Sequence, residues 1–312
     1  MNAEPPVVAL LAPLHPALSA VLQAAGHRVV ADAAADPALW QQAEVAITRG
    51  SLATGDEIFS RLPRLHLLCC WGSGYDGIDL AAAARRGIAV CNNPGGNAAS
   101  VADLAIGFVI SLLRGLPRAE RHLREGHWQD PAVRLPAARG LTGARLGIFG
   151  YGEVGRRIAA RAQALEMDVG CCSRRSPDAP GMTCFGDLVS LASWADVLVL
   201  SVRADDSTHH AVDATVLAAL GPQGHLVNVA RGSVVDEAAL GEALRGGLLA
   251  GFASDVFEHE PEVPAAVLAF PNALLTPHIG GATLHAQELT AEILLSNIEH
   301  FRATGQPRHP VR

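Results

Sequence analysis

The chain has 312 residues, of which 49% are hydrophobic and 18% charged, and its formal net charge is -7. At roughly 100–200 residues per domain this length predicts one large domain or two ordinary ones, and the composition excludes a disordered chain. All 24 basic residues are arginine, which excludes a Schiff-base lysine and the phosphate-binding lysine of Walker-type ATPases. An acidic chain without a basic run disfavours nucleic acid and anionic membrane surfaces as partners.

Cysteine usage and the N-terminal sequence predict a cytoplasmic protein. Four of the six cysteines form adjacent pairs, Cys69-Cys70 and Cys171-Cys172, and no Cys-x-x-Cys motif occurs. Because neighbours in a strand point to opposite faces, these cysteines are interpreted as small buried hydrophobic side chains in a reducing compartment. The first residues lack the charged and apolar regions of a signal peptide, and no apolar run approaches the ~20 residues that span a bilayer.

Short apolar segments alternate with Ala/Leu-rich helical stretches along the chain, which predicts an α/β protein with parallel sheets. A first series of predicted strands covers residues 7–11, 45–48, 65–71 and 88–91. A second series covers residues 146–149, 169–172, 197–201, 226–229, 251–255 and 274–276. Two such series predict two α/β domains with parallel sheets.

The boundary between the two series falls in the turn-rich segment 92–97. Ser100 has the properties of a helix N-cap, and an apolar helix is expected to follow as far as Leu113. A second amphipathic helix is expected over 284–301, where its position allows it to return to the first domain. We therefore expect one domain over 1–99 and 286–312, with a second domain over 100–285 inserted into it.

A predicted strand runs into a Gly-x-Gly-x-x-Gly pattern at Gly150, Gly152 and Gly155. In this pattern the first glycine permits a tight turn, the second lets the backbone approach a pyrophosphate, and the third allows close helix–strand packing. A glycine-rich turn without a ligand is the alternative, but the strand before it and the helix after it favour dinucleotide binding. The predicted cofactor contacts here are Gly150, Tyr151, Gly152, Glu153, Val154 and Gly155.

The position that holds the ribose of NAD in this fold reads Ser173-Arg174-Arg175 here and contains no carboxylate. An acid about 20 residues after the glycines binds the 2′-hydroxyl of NAD, whereas guanidinium groups bind a 2′-phosphate. These three residues therefore predict NADP(H) in preference to NAD(H). The alternative is that both arginines are ordinary solvated surface residues.

Three further loops follow predicted strands, where open α/β sheets bind ligands. They carry Arg231, Glu260 and His278. An arginine can bind a carboxylate in a planar fork, a histidine can donate a proton near neutral pH, and a carboxylate beside it favours the imidazolium. This set suits hydride transfer to a 2-oxo acid, with Arg231 and His278 also contacting the substrate. The neighbouring residues Ala230, Asp255 and Gly280 are predicted to contact the cofactor.

Each of these residues also has a structural interpretation. Arg231 could pair with Asp236, His278 could cap a turn, and Glu258 and Glu260 could form a solvated face. The remaining polar clusters, His209-His210, Asp205-Asp206 and His259, lack convincing metal-ligand spacing. They are interpreted as surface residues, and no metal site is expected.

Family motifs strengthen the catalytic interpretation. Asn-x-x-Arg-Gly occurs at 228–232, Asp-Val-Phe-x-x-Glu-Pro at 255–261 and Pro-His-x-Gly at 277–280. The chain thus resembles the D-isomer-specific 2-hydroxyacid dehydrogenase family over nearly its whole length. The resemblance identifies Glu260, and not Glu258, as the carboxylate partner of His278. The chain departs from the family pattern at two positions. Asn93 stands where Thr is common, and Asp103 stands where many members carry Glu.

The resemblance implies further features. The loop 71–79 resembles the family's substrate loop, in which Ser73 and Gly74 are the predicted substrate contacts through a backbone anion nest. The segments 101–107, 173–175 and 260–264 are similar to the glyoxylate/hydroxypyruvate reductase branch, whose members are typically NADPH-dependent. A homodimer is implied, with the helix from Ser100 and the segment 116–128 as candidate contacts. The expected fold is two doubly wound parallel-sheet domains, a Rossmann-type dinucleotide-binding domain over 100–285 inserted into a flavodoxin-like substrate-binding domain over 1–99 and 286–312. The site is expected in a cleft that closes over the substrate.

We therefore expect NADPH-dependent reduction of a small 2-oxo acid, such as glyoxylate or hydroxypyruvate, to the D-2-hydroxy acid. The same chemistry on a larger substrate, a sugar acid or an aryl-pyruvate, is one alternative. A non-catalytic protein that senses NADP(H) is the other, and the intact set Arg231, Glu260 and His278 argues against it.

Overall fold

The computed structural model describes residues 4–14, 16–174 and 181–311. The chain divides into two compact units, of which unit 1 comprises Met1–Asn97 with Gly281–Arg312 and unit 2 comprises Ala98–Gly280. Unit 2 is therefore inserted into unit 1 along the sequence. The unit boundaries lie at 97/98 and 280/281, whereas the sequence placed them at 99/100 and 285/286.

Unit 1 contains a five-stranded parallel sheet in the order β2-β1-β3-β4-β5. Its strands are β1 (Val7–Leu10), β2 (Arg28–Val30), β3 (Val45–Arg49), β4 (Leu67–Trp71) and β5 (Ala89–Cys91). Its helices are α1 (Pro16–Ala24), α2 (Pro37–Gln41), α3 (Asp56–Ser60), α4 (Leu80–Arg85) and α12 (Leu284–Thr304). Helix α12 packs against α1 and β4, so the C-terminal helix does return to the first sheet. Apolar clusters cover both faces of this sheet, which explains its continuous apolar strands.

Unit 2 contains a seven-stranded parallel sheet in the order β12-β11-β10-β9-β6-β7-β8. Its strands are β6 (Arg145–Phe149), β7 (Asp168–Cys172), β8 (Thr183–Phe185), β9 (Val197–Leu200), β10 (His225–Asn228), β11 (Gly251–Ser254) and β12 (Ala273–Leu275). Its α-helices are α5 (Ala98–Arg114), α6 (Leu116–Arg124), α7 (Glu153–Ala164), α8 (Leu188–Trp194), α9 (Ala214–Leu220), α10 (Glu237–Arg245) and α11 (Ala265–Leu268). The strand order reverses between β6 and β9, and ligands bind at such switch points in doubly wound sheets.

The two-sheet α/β architecture confirms the fold predicted from the sequence. The ten predicted strands all occur, with ends shifted by two residues at most. Two strands were missed, β2 and β8, which lie at one edge of each sheet. Both have three residues, of which β2 buries only Val30 and β8 buries none, so neither leaves the long apolar run by which a buried strand is recognised.

Helix α5 corrects the expectation for Ser100, which is not an N-cap. The helix begins at Ala98, and Ser100 lies buried inside its first turn. The buried positions Ala98, Ala102 and Ala105 repeat at helical spacing, so the apolar stripe already starts before Ser100. Across the described residues no single helix is long and apolar enough to cross a membrane; α5 and α6 pass that test only as a pair, bent by 61°.

Candidate active site

The turn between β6 and α7 has the geometry that its three glycines predict. Gly150 has a φ of +99°, and a Cβ at this position would lie 2.5 Å from the backbone of Val202. A Cβ at Gly155 would lie 2.2 Å from the carbonyl oxygen of Gly150, so the helix packs directly on the turn. At Gly152, in contrast, a Cβ would meet nothing within 4 Å. The turn is therefore closed around Gly150 and Gly155 and open in front of Gly152.

The first turn of α7 fits an anionic ligand. Its N-cap, Gly152, has no side chain with which to cap the helix. Uncapped N–H groups and the positive end of the helix dipole attract phosphate groups. The side chain of Glu153 pairs with Arg156 one turn later. The predicted contact of Glu153 with a phosphate would therefore be made by its backbone N–H. These residues fit the pyrophosphate of a dinucleotide; their contacts with a cofactor stay a prediction.

The segment after β7 contains Ser173, which is partly buried, and Arg174, whose side chain is 78% exposed. Nη1 of Arg174 lies 3.6 Å from Oδ2 of Asp205, in the loop that follows β9. A hydrogen bond from Ser207, followed by the charges of Arg174 and Arg203, lowers the pKa of Asp205 below its usual range. The sequence pattern predicted a surface residue at Asp205 and did not indicate this pairing. The third predicted residue, Arg175, lies outside the described residues.

Arg231 stands in the loop after β10, which Asn228 holds in shape. The buried Asn228 side chain accepts a hydrogen bond from the N–H of Ala230 at 3.0 Å and donates one to the carbonyl oxygen of Arg231 at 2.9 Å. Nη1 of Arg231 donates to the carbonyl oxygen of Ala230 at 2.8 Å. Asp236, the alternative partner for Arg231, accepts from the first-turn N–H groups of α10 and caps that helix.

Glu260 and His278 form a direct pair. Nδ1 of His278 lies 2.8 Å from Oε2 of Glu260, and Oε1 of Glu260 accepts from the N–H of Phe257 at 3.2 Å. Burial raises the pKa of Glu260, but the hydrogen bond and charge of His278, the Phe257 N–H and the charge of Arg231 outweigh it. The pKa of Glu260 is lowered overall, so it stays a carboxylate near neutral pH. The three predicted catalytic side chains thus act on one another within unit 2.

The loop that carries His278 is fixed by Asp255. This buried carboxylate accepts hydrogen bonds from the hydroxyl of Thr276 at 2.5 Å and from the N–H groups of Ile279 and Gly280 at 2.7 Å each. His278 itself has a φ of 53°, a conformation that few residues other than glycine adopt. Asp255 and Gly280 therefore position the histidine, while their predicted contact with a cofactor stays a prediction.

Close packing also joins the arginine loop to the glutamate loop. A Cβ at Gly232, directly after Arg231, would lie 1.9 Å from the carbonyl carbon of Phe257. Only glycine allows the two backbones to approach this closely. This contact explains why Arg231 lies near enough to act on Glu260.

A second group of polar side chains, which sequence analysis had assigned to the surface, forms beside this site. Nε2 of His210 lies 2.8 Å from Oε1 of Glu258, and Nε2 of His209 lies 3.6 Å from the same oxygen. The three ligand atoms all lie within 4.8 Å of one another. Glu258 therefore faces His209 and His210, whereas Glu260 faces His278. The sequence offered no spacing signal for this group, since His210 and Glu258 are 48 positions apart.

In unit 1, the predicted substrate loop follows β4. Gly72 has a φ of +109°, and the Ser73 hydroxyl donates to the carbonyl oxygen of Asn93 at 2.7 Å. A Cβ at Gly50 would lie 1.7 Å from the carbonyl oxygen of Gly74, so the backbone of this loop packs directly against Gly50. Because the Ser73 hydroxyl is used internally, a substrate contact at Ser73 or Gly74 falls to the backbone, and it stays a prediction.

Comparison with known proteins agrees with this geometry. The family model for the NAD binding domain of D-isomer specific 2-hydroxyacid dehydrogenases matches residues 106–280. The chain is 35% identical to a glyoxylate/hydroxypyruvate reductase of Arabidopsis thaliana, covering 100% of this chain and 98% of the relative. It is 36% identical to a hydroxyphenylpyruvate reductase of Plectranthus scutellarioides, covering 84% of this chain and 83% of the relative.

A solved structure shows the same architecture. It is an NADPH-dependent glyoxylate/hydroxypyruvate reductase from Sinorhizobium meliloti in complex with NADP and malonate. The TM-score is 0.89 at 36% identity, with 98% of this chain and 97% of that chain covered. The chain therefore belongs to the D-isomer specific 2-hydroxyacid dehydrogenase family. It is a 2-hydroxyacid dehydrogenase, an oxidoreductase with an NAD(P)-binding Rossmann domain, as its motifs indicated.

Proposed function

We propose that the protein reduces a small 2-oxo acid of the glyoxylate or hydroxypyruvate type to the D-2-hydroxy acid, with NADPH as the reductant. The observation that carries this proposal is the His278–Glu260 pair at 2.8 Å with the charge of Arg231 acting on Glu260. The names of the Arabidopsis relative and of the Sinorhizobium structure support the substrate class.

The proposed roles follow from the geometry of the three side chains. When bound, the reduced nicotinamide supplies the hydride that adds to the carbonyl carbon of the substrate. The carbonyl oxygen then gains negative charge, which the guanidinium of Arg231 stabilises. Because Nδ1 of His278 is engaged by Glu260, Nε2 is the ring nitrogen that delivers the proton to this oxygen. The Glu260 carboxylate holds the ring in this orientation through Nδ1.

A larger substrate is the second candidate, and one comparison favours it. The hydroxyphenylpyruvate reductase is as similar to this chain, at 36% identity, as the Sinorhizobium enzyme. A single methylene changes discrimination by only about 1–3 kcal/mol, so a few pocket side chains separate these substrates. We place the small 2-oxo acid first because it agrees with the relative that covers the whole chain.

The decisive experiment is a turnover assay that follows the absorbance of the reduced nicotinamide. Glyoxylate, hydroxypyruvate and phenylpyruvate are each tested with NADPH and with NADH. The highest kcat/KM is expected for glyoxylate or hydroxypyruvate with NADPH. A clear preference for phenylpyruvate would replace the substrate class, and a preference for NADH would replace the cofactor. If the protein binds NADPH but turns over none of these substrates, the alternative of a non-catalytic protein that senses NADP(H) would be favoured.

We assign the NADPH preference to Ser173 and Arg174, with Arg175 outside the described residues. Arg174 is the exposed guanidinium next to the ribose position, and Asp205 is its partner. Arg174→Ala should raise the KM for NADPH roughly tenfold, the cost of one hydrogen bond to a charged group, and leave the KM for NADH nearly unchanged. Arg245→Ala, which removes another exposed arginine on α10, is the control. Equal changes for both cofactors would remove Arg174 from this role.

We also propose a homodimer in a reducing, cytoplasmic compartment. Helix α5 buries its apolar face inside unit 2, which leaves the segment from α6 onwards as the better candidate contact. There Leu116 and Leu123 lie two turns apart on α6, and Trp128 follows with 79% exposure; exposed apolar side chains that form a continuous patch mark interaction surfaces. Light scattering should give twice the mass of the chain, and Trp128→Glu should halve it. The six cysteines are free, in agreement with a reducing compartment.

A further inference from the structure

Two adjacent histidines and a distant glutamate converge at one point in unit 2, in the cluster of His209, His210 and Glu258. Nε2 of each histidine faces the same atom, Oε1 of Glu258, at 3.6 and 2.8 Å. The Glu258 side chain is 17% exposed, whereas the histidines lie at the surface. The carboxylate of the cluster is therefore largely buried, and its imidazoles are accessible to solvent.

The backbone brings the two imidazoles to the same side. Neighbouring side chains in an extended chain point in opposite directions, but His210 has a φ of 50°. This turn stacks the two rings with their centroids 3.9 Å apart and an angle of 26° between their planes. The arrangement places two like, potentially cationic groups in contact, which is unfavourable when both are protonated and favourable when both bind one cation.

The spacing of the three atoms matches the coordination of zinc. Zinc binds histidine nitrogen and carboxylate oxygen at about 2.0–2.2 Å in a tetrahedral arrangement, which separates neighbouring ligand atoms by about 3.3 Å. The two measured separations to Oε1, 2.8 and 3.6 Å, lie on either side of that value. Two histidines, one glutamate and a water form a known zinc ligand set. Small rotations of the rings suffice to complete it.

A second carboxylate holds the backbone of the cluster. Oε1 of Glu237, at the start of α10, accepts a hydrogen bond from the N–H of Glu258 at 3.0 Å. This bond fixes the backbone that carries the Glu258 ligand and adds negative charge beside it. Both effects favour a bound cation, because a preorganised ligand loses less freedom on binding.

We propose that His209, His210 and Glu258 form a binding site for Zn²⁺, separate from the His278–Glu260 pair and independent of the proposed activity. Glu258 lies two positions before Glu260 in the same loop, so a metal at this site also restrains the loop that carries Glu260. The site offers two imidazole nitrogens and a carboxylate oxygen, which are ligands that zinc binds.

The test measures metal binding directly, on full-length protein without a histidine tag after removal of metals with a chelator. Calorimetric titration with zinc sulfate should give one ion per chain with a micromolar Kd. Titration with Co²⁺ should give visible d–d absorption without thiolate-to-cobalt charge-transfer bands. Such bands would show binding at cysteine, for example at the exposed Cys184, and would overturn the assignment.

Three variants locate the ion and one serves as the control. His209→Ala removes the more exposed ligand and leaves the His210–Glu258 contact in place. His210→Asn keeps a residue that tolerates positive φ, and Glu258→Gln removes the charge. Each should weaken zinc binding roughly tenfold or more, while His259→Ala, next to Glu258 but outside the cluster, should bind like the wild type. No stoichiometric binding at millimolar zinc, or wild-type affinity in His209→Ala and His210→Asn, would refute the proposal.

Discussion

Unit 2 contains two histidine–glutamate pairs that look alike locally and differ in their surroundings. His278–Glu260 and His210–Glu258 are each joined at 2.8 Å. Their histidine side chains are 39% and 36% exposed, and both histidines have positive φ, 53° and 50°. The two glutamates lie two positions apart in one loop. The geometry of the pair alone therefore does not determine what it does.

The neighbouring groups make the difference. Glu260 lies under the influence of the Arg231 guanidinium, which can bind a carboxylate, and its histidine is held by Nδ1. Glu258 contacts His210 through Nε2 and has a second imidazole, His209, nearby. A fixed cation beside the pair suits proton transfer to a developing oxyanion, whereas a second imidazole suits metal coordination. We therefore infer that the third group distinguishes the proposed roles of the two pairs.

The largest effect should come from His278→Gln. It removes the proton donor, and general acid catalysis is worth ~10²–10⁴-fold, so kcat for reduction should fall by about 10³. The same replacement at His210 should cost far less, because His210 pairs with Glu258 and not with Glu260. His259→Gln is the matched control and should retain the wild-type kcat. Steady-state kinetics with the best 2-oxo acid checks this, and a kcat close to wild type in His278→Gln would refute the role of acid.

Arg231→Ala should come next. Loss of a group that stabilises the developing oxyanion costs ~10²–10³-fold, so kcat/KM should fall by at least ~10². Arg245→Ala, an exposed arginine paired with Glu242, provides the control. An equal, small loss of kcat/KM in both variants would mean that Arg231 does not stabilise the oxyanion.

A smaller effect is expected for Glu260→Gln. Without the carboxylate the His278 ring loses the group that holds Nδ1. Loss of a hydrogen bond to a charged group costs about 1.5–3 kcal/mol, so kcat for reduction should fall roughly tenfold or more. Glu262→Gln, at an exposed position of the same segment, should keep the wild-type kcat. A wild-type kcat in Glu260→Gln would show that Glu260 does not act through His278.

The smallest effect concerns stability. Because the pKa of Glu260 is lowered in the folded protein, its ion pair stabilises the fold above the ordinary glutamate pKa of about 4.3. That contribution is lost as the pH falls through the lower folded-state pKa. The difference in Tm between wild type and Glu260→Gln should therefore be constant at neutral pH and shrink under acidic conditions. A difference that persists unchanged in strong acid would contradict the sign of this shift.

Much of the fold and part of the site were predictable because their signals are local. Buried strands leave apolar runs, the turn at Gly150–Gly155 lies within a few residues, and the loops of Arg231, Glu260 and His278 each carry a short motif. The edge strands β2 and β8 were missed because exposed strands leave no such run. Ser100 was misassigned because a good capping residue inside a helix looks the same in sequence as one at its start.

The sequence by itself determined the α/β architecture, the family and the candidate catalytic side chains, since all of these are written in short windows of residues. Only the tertiary structure decided that Glu258 faces His209 and His210, and that Asp205 lies beside Arg174. The His210–Glu258 and Arg174–Asp205 contacts join positions 48 and 31 residues apart in loops after different strands. Side-chain neighbours across such loops depend on strand order and backbone packing, which no local pattern specifies.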